Sequence, residues 1–396
     1  MLLYSHDSWG LGHLRRSLSI AEAIAEYFSE SNVLVVTGSP CATQFELPDR
    51  CDVLKLPAVS KDLGGEYIPR TLAGGLAETI ELRSRLITES YKAFDPHAII
   101  VDHQLTGLKD EALTMLQLAS AAGKHLIYGM RDVLDSPGVV ESAWDNNQHR
   151  WALEHAFDQI CVYGAAEVFD PRRQYGVLDG LQDKVVFTGY ITPPLNTVQR
   201  QAIPSIRKNV VVTMGGGQDG EERIEQYLDA LASSEVHWNS HIITGPLMDR
   251  IAVRRFKRRI LKQGWVDRVR ITRFYADMMN LLQNADAVVS MAGYNSCAEI
   301  LKAGIPAVLM PRVHPRKEQL IRARRFSDLG LARCVTSQEP HILRQELTGA
   351  LDCKPDLSRL PDLSGRESVC DVIDSLLQAT RDRQTAFTGP TRAAVE

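Results

Sequence analysis

Short apolar segments alternate along this chain with longer segments in which apolar residues recur at helical spacing. Residues 2–5 have the apolar character of a strand, and the apolar side chains of residues 14–28 lie on one face of a helix. Residues 33–37 supply the next strand, a long helix is predicted from about Leu72 to Ala93, and the same alternation continues through most of the sequence. Strands that alternate with helices in this way predict parallel sheets covered by helices on both faces.

The alternation is interrupted at Pro193-Pro194, because a proline pair cannot continue a helix or a central strand. A chain of 396 residues also exceeds what one hydrophobic core usually fills. We therefore predict an α/β protein of two Rossmann-like, doubly wound domains that face a central cleft. The predicted boundaries are residues 1–191 and 192–380, with a hinge at 191–205 and a polar tail at 381–396.

The composition predicts a soluble globular protein and excludes several other classes. Hydrophobic residues make up 44% and charged residues 24% of the chain, and the net charge of −4 argues against non-specific binding to nucleic acid. No segment has 18 consecutive apolar residues and the N-terminus does not resemble a secretory signal, so we expect a cytoplasmic protein. Seven scattered cysteines, without C-x-x-C, H-E-x-x-H or D-x-D, predict reduced thiols, no metal and no cofactor.

Residues 290–311 have the pattern of a strand, a glycine turn, a helix that ends at Gly304 and a second strand. Gly293 at the turn lets a ligand approach backbone N–H groups, and the helix N-terminus favours an anion there. Glu299 lies in the first two turns of that helix, where its carboxylate can reach the hydroxyls of a ligand. This layout predicts a site for a sugar nucleotide. The alternative is a capping box, Ser296-x-x-Glu299, in which the glutamate only serves the helix N-terminus.

A second glycine turn, from Gly215 to Gly220, follows a predicted strand and opens a helix. Its G-x-G-x-x-G spacing matches the dinucleotide fingerprint, which also requires an acidic residue at the end of the next strand. That strand ends Thr244-Gly245-Pro246, with no acid, so a nicotinamide or flavin site is disfavoured. A phosphate-binding loop of another kind and a simple tight turn both remain open.

The first half begins with the motif Gly10-x-Gly12-His13-x-x-Arg16 at the opening of its sheet. A histidine at this position would face the cleft and could act as a general base, or it could merely cap the first helix. Arg15 and Arg16 either face a phosphate or solvate the helix surface.

Four further polar residues end strands of the first sheet and are candidates for the acceptor side by position: Asp102, His103, Arg131 and Asp132. The basic segment 254–259 is typical of a solvated helix face, with docking to an acidic membrane or partner as the alternative. Cys297 lacks an identifiable partner base, so we interpret it as a packed thiol.

Taken together, these residues resemble the two-domain GT-B glycosyltransferases of the MurG type, family 28. The likeness is sharpest in Ser290-x-Ala-Gly293-x-x-Ser296-x-x-Glu299 and in the continuation to Pro311, His314, Glu318 and Gln319. The resemblance implies that Glu299 holds the ribose of a UDP-sugar, that Gln319 contacts sugar hydroxyls and that the turn from Gly215 approaches the diphosphate. The implied donor-binding set is Gly215, Gly216, Gly217, Gln218, Gly293, Asn295, Ser296, Glu299, Glu318 and Gln319. It also implies a metal-independent, inverting transfer.

The first half departs from the MurG pattern, because its loop is similar to that of the sugar-nucleotide hydrolase PseG, in which the matching histidine activates water. Our prediction is a hexosyl- or N-acetylhexosaminyl-transferase that uses a UDP-sugar, with His13 as the base. The acceptor hydroxyl, on a sugar, small molecule or lipid carrier, is left open, and no membrane-docking patch is evident near the first sheet. A PseG-like hydrolase, a non-hydrolysing epimerase and a non-catalytic nucleotide-sugar binder are the alternatives.

Overall fold

The computed structural model describes residues 1–6, 12–42, 45–62, 66–194, 207–233, 235–353 and 355–387. Two parallel sheets dominate it, one of seven strands and one of six, with a separate antiparallel strand pair. Helices alternate with the strands along the chain, so the predicted α/β class with two doubly wound sheets is confirmed. Gly10 and residues 195–206, which include most of the predicted hinge, lie outside the described residues.

The seven-stranded sheet has the order β3-β2-β1-β6-β7-β8-β9, and β4 pairs with β5 apart from it. The strands are β1 (Leu2–Ser5), β2 (Val33–Thr37), β3 (Cys51–Lys55), β4 (Val59–Lys61), β5 (Tyr67–Pro69), β6 (Ala98–Asp102), β7 (His125–Arg131), β8 (Gln159–Tyr163) and β9 (Val185–Phe187). The helices are α1 (Gly12–Tyr27), α2 (Leu76–Phe94), α3 (Leu113–Ala121), α4 (Pro137–Trp144), α5 (Asn147–Trp151) and α6 (Pro171–Gln174). Every residue of β1 and β6 is buried, as expected for central strands covered on both faces.

The six-stranded sheet has the order β12-β11-β10-β13-β14-β15. Its strands are β10 (Lys208–Thr213), β11 (Trp238–Ile243), β12 (Val269–Thr272), β13 (Ala287–Ser290), β14 (Ala307–Leu309) and β15 (Arg333–Cys334). The helices are α7 (Glu221–Ala232), α8 (Arg250–Lys262), α9 (Met278–Gln283), α10 (Tyr294–Ala303), α11 (Glu318–Asp328), α12 (Pro340–Asp352) and α13 (Gly365–Phe387).

Most element boundaries lie within a few residues of the predicted ones, and the exceptions have local causes. We predicted that the long helix of the first half would begin near Leu72, but α2 begins at Leu76 after its N-cap, Gly75. Glu78 accepts a hydrogen bond from the Gly75 amide (3.3 Å), so a capping interaction sets the start of the helix. Helix α10 ends as predicted at Gly304, which adopts a left-handed conformation.

The two faces of the second sheet pack into different hydrophobic cores. Val210 and Val212 pack with α7 and α8, whereas Val211, between them, belongs to a core shared with the first domain. This division follows from the two-residue repeat of a strand. Helices α10 and α11 contribute to the shared core, so the two domains are joined by packed apolar side chains.

A buried ion pair also joins the domains. Arg322 of α11 donates to both carboxylate oxygens of Asp132, over 2.8 and 2.6 Å, and neither side chain is exposed. The Tyr190 hydroxyl donates to the same carboxylate (2.9 Å), and a further N–H of Arg322 reaches the carbonyl of Ala292 (2.8 Å). The backbone amide of Val133 also donates to the Asp132 carboxylate (2.7 Å), so the carboxylate accepts from four donor groups of three residues.

The C-terminal helix α13 returns to the first domain. Arg366 pairs with Glu22 and Glu26 of α1, over 3.2 and 3.1 Å, and Tyr27 donates to Asp371 (3.2 Å). The predicted domain boundaries, residues 1–191 and 192–380, remain a prediction. The helix also continues to Phe387, whereas we predicted a polar tail from residue 381. No helix in the described ranges combines the length and the hydrophobicity needed to cross a bilayer.

Candidate active site

A cavity of about 250 Å³ lies between the two domains, at the carboxyl ends of β10 and β11. Ligands bind at this edge of open α/β sheets because the turns that follow the strands meet there. The first domain contributes Gly12, His13, Arg15, Arg16, Phe45 and Arg131. The second contributes Thr213, Gly215, Gly216, Ile243, Gly245, Pro246, Arg273, Phe274, Tyr275, Ala276, Met278, Gly293, Tyr294, Asn295, Ser296 and Glu299.

The first wall of the cavity carries a histidine–aspartate pair. Nδ1 of His13, in the first turn of α1, lies 2.6 Å from Oδ2 of Asp102, the last residue of β6. Arg16, one turn along α1, donates to both oxygens of Asp102 and also places an Nη2 atom 2.8 Å from the same His13 nitrogen. A carboxylate and a guanidinium cannot both bond to Nδ1 at once, and the aspartate contact is the shorter. We therefore assign the Nδ1 proton to the Asp102 bond, which leaves Nε2 as an acceptor.

The charge state of Asp102 favours this arrangement. Although burial opposes ionisation, the charges of Arg16 and His13 lower the pKa of the Asp102 carboxyl to about 2. The carboxylate is therefore ionised at neutral pH and holds the imidazole in one orientation. The His13 side chain remains 19% exposed, so its ring is open to the cavity. This geometry suits a general base. The role of His13 as the base remains a prediction.

Two more histidines and an arginine surround His13. His103 stacks on the His13 ring with centroids 4.7 Å apart, and His6 meets it edge-on at 5.9 Å. Burial lowers the pKa of His6 and of His103 well below the usual histidine range, so both are neutral. Burial, with the charges of Arg16 and Arg322, lowers the pKa of Arg131 to about 10, which keeps it cationic at neutral pH. Three of the acceptor-side candidates, Asp102, His103 and Arg131, thus lie together around His13.

The opposite wall begins with the glycine turn after β10. Gly215 and Gly216 line the cavity, and Gly215 adopts a left-handed conformation with a φ of 58°. Gly217 has another role. A Cβ at this position would lie 2.2 Å from the carbonyl oxygen of Thr244, just after β11, so only glycine fits there. Gln218 is exposed and, like Gly217, does not line the cavity. Two of the four predicted donor residues of this turn therefore reach the cavity.

Helix α10 presents its N-terminus to the cavity through Gly293, Asn295 and Ser296. Gly293 is the N-cap and offers no side chain, so the amides of the first turn are available to an anion. Asn295 donates to the carbonyl of Gly12 (2.9 Å) and so ties this helix end to the first domain. The preceding Ala292 has a φ of 64°, a conformation that is uncommon for a residue with a side chain and that recurs at functional sites.

Glu299 lies in the second turn of α10, and its carboxylate forms an ion pair with Arg15 of the first domain. The side chain of Glu299 is 6% exposed, whereas that of Arg15 is 39% exposed. Because Gly293 is the N-cap, Ser296 and Glu299 do not form a capping box. The glutamate is therefore held at the cavity by a cation from the opposite domain.

Glu318 and Gln319, which were also predicted to bind the donor, lie outside the lining of this cavity. The Arg312 side chain donates to Glu318 (2.7 Å), and its backbone amide donates to the Gln319 side chain (3.0 Å). Both residues thus hold the segment between β14 and α11 in this conformation. Their assignment to the donor site remains a prediction.

No sequence motif predicted one wall of the cavity, the segment 273–278 after β12. Arg273 donates to the carbonyl of Met248 (3.1 Å), which fixes the loop, and Phe274 and Tyr275 face the cavity. No glycine motif marks this segment. A signal did exist, because the segment follows the carboxyl end of β12, which pairs with β11 in the same parallel sheet.

Two other kinds of site find little support. Among the residues described, no cluster of three or more His, Cys, Asp and Glu side chains could hold a metal ion. Cys297 is buried in α10, and burial raises the pKa of its thiol to about 12, as expected for a packed thiol. The cavity instead combines one candidate base with amides and arginines that favour an anion.

Comparison with protein families identifies the second domain. Residues 210–372 match the model described as "Glycosyltransferase family 28 C-terminal domain". The segment contains the glycine turn from Gly215, helix α10 and Glu299, so the predicted resemblance to family 28 is confirmed there. The likeness of the first loop to that of PseG remains a prediction.

Curated relatives agree with this assignment. A Leuconostoc citreum (strain KM20) protein named UDP-N-acetylglucosamine--N-acetylmuramyl-(pentapeptide) pyrophosphoryl-undecaprenol N-acetylglucosamine transferase is 31% identical over 147 residues, which are 37% of this chain and 39% of that protein. The chain thus matches less than half of the length of this relative. A Cytophaga hutchinsonii protein of the same name is 23% identical over 76% of this chain and 74% of its own length.

Solved structures share the fold of the whole chain. The glycotransferase of kitacinnamycin has a TM-score of 0.62 at 16% identity, covering 95% of this chain and 98% of its own. MurG of Acinetobacter baumannii has a TM-score of 0.57 at 15% identity, with the same coverage of both chains. The predicted GT-B architecture is therefore confirmed.

Proposed function

We propose that this chain, whose second domain matches the family 28 C-terminal domain, is a glycosyltransferase that moves a sugar from a nucleotide-sugar donor to a hydroxyl acceptor. The observation that carries the proposal is the composition of the cavity. One wall presents a histidine oriented by an aspartate, and the other presents two glycine turns, a helix N-terminus and Glu299. A base and an anion site on opposite walls are what glycosyl transfer from a diphosphate requires.

The donor in this proposal is a UDP-sugar, as in the names of the curated relatives. Its diphosphate would lie against the amides of Gly215 and Gly216 and the N-terminus of α10, where the helix dipole favours negative charge. Glu299 would accept hydrogen bonds from the ribose hydroxyls. The segment 273–278, with two aromatic side chains at the cavity, would form the wall beside the base.

The reaction would be a direct displacement with inversion. The acceptor hydroxyl loses its proton to Nε2 of His13 as its oxygen bonds to the anomeric carbon, and the bond from that carbon to the diphosphate oxygen breaks. Negative charge then grows on the leaving diphosphate, which amides and arginines stabilise without a metal ion. Asp102 stabilises the imidazolium that forms, because its low pKa keeps it ionised throughout.

The first experiment is a binding measurement. Calorimetry with UDP and with other nucleoside diphosphates should show that Glu299→Gln weakens binding, because an amide accepts less strongly from a diol than a carboxylate does. Glu222→Gln on the exposed face of α7 is the matched control and should bind as wild type does. If no nucleoside diphosphate binds the wild-type protein, the proposed function is wrong.

The second experiment tests the base. We expect His13→Ala to lower kcat on the order of 10²–10⁴-fold while leaving the Kd for UDP unchanged. His155→Ala, at a histidine that is 66% exposed, is the control for loss of an imidazole. Unchanged turnover in His13→Ala would remove the base assignment.

The same assay separates transfer from hydrolysis. His13 could activate water as well as a hydroxyl, since both present an O–H to the same nitrogen. A transferase should release little free sugar until an acceptor is added, whereas a hydrolase releases it from the donor alone. Acceptors to be tried are free sugars, small-molecule alcohols and lipid-linked sugars.

A further inference from the structure

We propose that Arg15 is a positioning residue that exchanges partners when the donor binds. In the empty cleft, Arg15 pairs with Glu299. When the ribose hydroxyls donate to the Glu299 carboxylate instead, the guanidinium of Arg15 moves to the diphosphate. The inference rests on the proposed function, because it assigns to Arg15 a role in the same site.

The first step of the argument is the contrast between two adjacent arginines of α1. Arg16 is buried and bonded to both oxygens of Asp102, so its position is fixed within the first domain. Arg15 is 39% exposed and reaches across the cleft to Glu299. An arginine that is this exposed keeps the freedom of its long side chain, whereas its neighbour has lost it.

The second step concerns Glu299. The side chain of Glu299 is only 6% exposed and lies at the edge of the cavity, so a cation there stabilises its carboxylate in the empty cleft. Arg15 supplies that partner, and its guanidinium covers the carboxylate that the ribose hydroxyls would use. The nucleoside must therefore share or displace the guanidinium in order to bind.

The third step is the space into which Arg15 can move. The Arg15–Glu299 pair lines both the cavity of about 250 Å³ and a second cavity of about 320 Å³, whose walls include Phe45, Leu47 and Pro193. The pair thus separates two open volumes, and the guanidinium can leave Glu299 without displacing packed side chains. On the side of the first cavity it approaches the region of the glycine turn and the N-terminus of α10, where the diphosphate is proposed to bind.

The other arginines of the cavity are less suited to this role. Arg16 is held by Asp102, and Arg273 donates to the backbone carbonyls of its own domain at Pro246 and Met248. Arg131 is enclosed by the histidine cluster, 3.5 Å from Nε2 of His103. Arg15 is the arginine that contacts the ribose-binding acid directly, so it can couple nucleoside binding to diphosphate binding.

The exchange predicts opposite effects on two ligands, measured by calorimetry on the full-length protein. Uridine lacks phosphate, so Arg15→Ala should bind it about fivefold more tightly, since no ion pair has to be broken. The affinity for UDP rises for the same reason, but UDP also loses a charge-assisted contact between Arg15 and the diphosphate, which raises its Kd about tenfold or more. The ratio of the Kd for uridine to the Kd for UDP should therefore fall about tenfold.

Two controls make the ratio specific. Arg15→Lys keeps the charge and should retain a ratio closer to that of wild type than Arg15→Ala does. Arg258→Ala removes an exposed arginine of α8 and should leave the ratio unchanged. A merely structural role for Arg15 would alter both affinities in the same direction.

The measurements distinguish a failure of the exchange from a failure of the proposed function. If Arg15→Ala weakens uridine and UDP equally, or leaves both unchanged, the exchange is wrong while the proposed function stands. If wild type binds neither uridine nor UDP, nor the corresponding pair for any other base, both the proposed function and the exchange are wrong.

Discussion

Among the described residues, the pairs Arg322–Asp132 and Arg15–Glu299 both join the domains, and they differ in burial and in hydrogen bonding. Arg322 and Asp132 are fully buried, bonded through two N–H groups and surrounded by further hydrogen bonds. Arg15 and Glu299 meet at the edge of the cavity, and the arginine is 39% exposed. The first pair is enclosed by packed side chains, and the second is reached by anything that enters the cleft.

The difference shows how a two-domain protein can combine a fixed interface with a site that responds to a ligand. A buried pair without water has no competing partner, so breaking it leaves an uncompensated charge. A pair at an open cavity is solvated and screened, so a ligand with hydroxyls or phosphates can replace either partner. Arg322–Asp132 therefore maintains the relative position of the domains, and Arg15–Glu299 is available for exchange.

The largest effect on stability is expected when the buried Arg322–Asp132 pair is broken. Arg322→Ala should lower the free energy of unfolding by about 3–5 kcal/mol, because Asp132 is left buried without its cation. Urea denaturation measures this, with Arg324→Ala, an exposed arginine of the same helix, as the control. The double variant Asp132→Ala/Arg322→Ala should lose less than the sum of the two single variants. A loss below 1 kcal/mol for Arg322→Ala would contradict the distinction between the two pairs.

Another buried pair, Arg16–Asp102, allows a pH test of the same distinction. The pKa of Asp102 is about 2 in the folded protein, against about 3.9 in an unfolded chain. A lowered folded-state pKa means that its contribution, about 2–3 kcal/mol, is complete above pH 4 and is lost as the pH falls through 2. Asp102→Asn should remove this part of the acid sensitivity in urea unfolding curves measured across that pH range. An unchanged pH dependence in the variant would show that Asp102 is not strongly paired in solution.

The exposed interdomain pair should matter less to stability than to binding. Arg15→Ala should lower the free energy of unfolding by only about 1 kcal/mol, and this difference should shrink at high salt because the pair is screened. The measurement is urea denaturation at 0.05 and 1 M NaCl. A loss as large as that of Arg322→Ala, insensitive to salt, would place the two pairs in the same class.

The smallest effect is expected on the surface of the second domain. Arg255 of α8 contacts Glu221 and Glu225 of α7, over 2.7 and 2.8 Å, at positions open to solvent. Arg255→Ala should leave the urea midpoint within experimental error, because pairs in this environment add little. A clear downward shift would show that the network between α7 and α8 acts cooperatively.

Much of the fold could be predicted because its signals are local. The periodicity of apolar residues places each strand and helix, and glycines mark the turns: Gly293 begins α10 and Gly304 ends it, as the sequence predicted. The packing of the C-terminal helix could not be predicted in this way. Helix α13 has the pattern of an ordinary amphipathic helix, and nothing in that pattern indicates that it packs against α1 rather than against the second domain.

The candidate site shows the same difference between local signals and long-range contacts. The sequence alone identified His13, Glu299 and the glycine turns, since each follows a strand or opens a helix in a recognisable pattern. Only the tertiary structure decided that Asp102, 89 residues away, orients His13, and that Arg15, 284 residues away, pairs with Glu299. Turn chemistry and helical spacing act over a few residues, whereas ion pairs depend on which surfaces the packed core brings together. The sequence therefore determined which groups could react, and the packing of the two domains decided which of them meet.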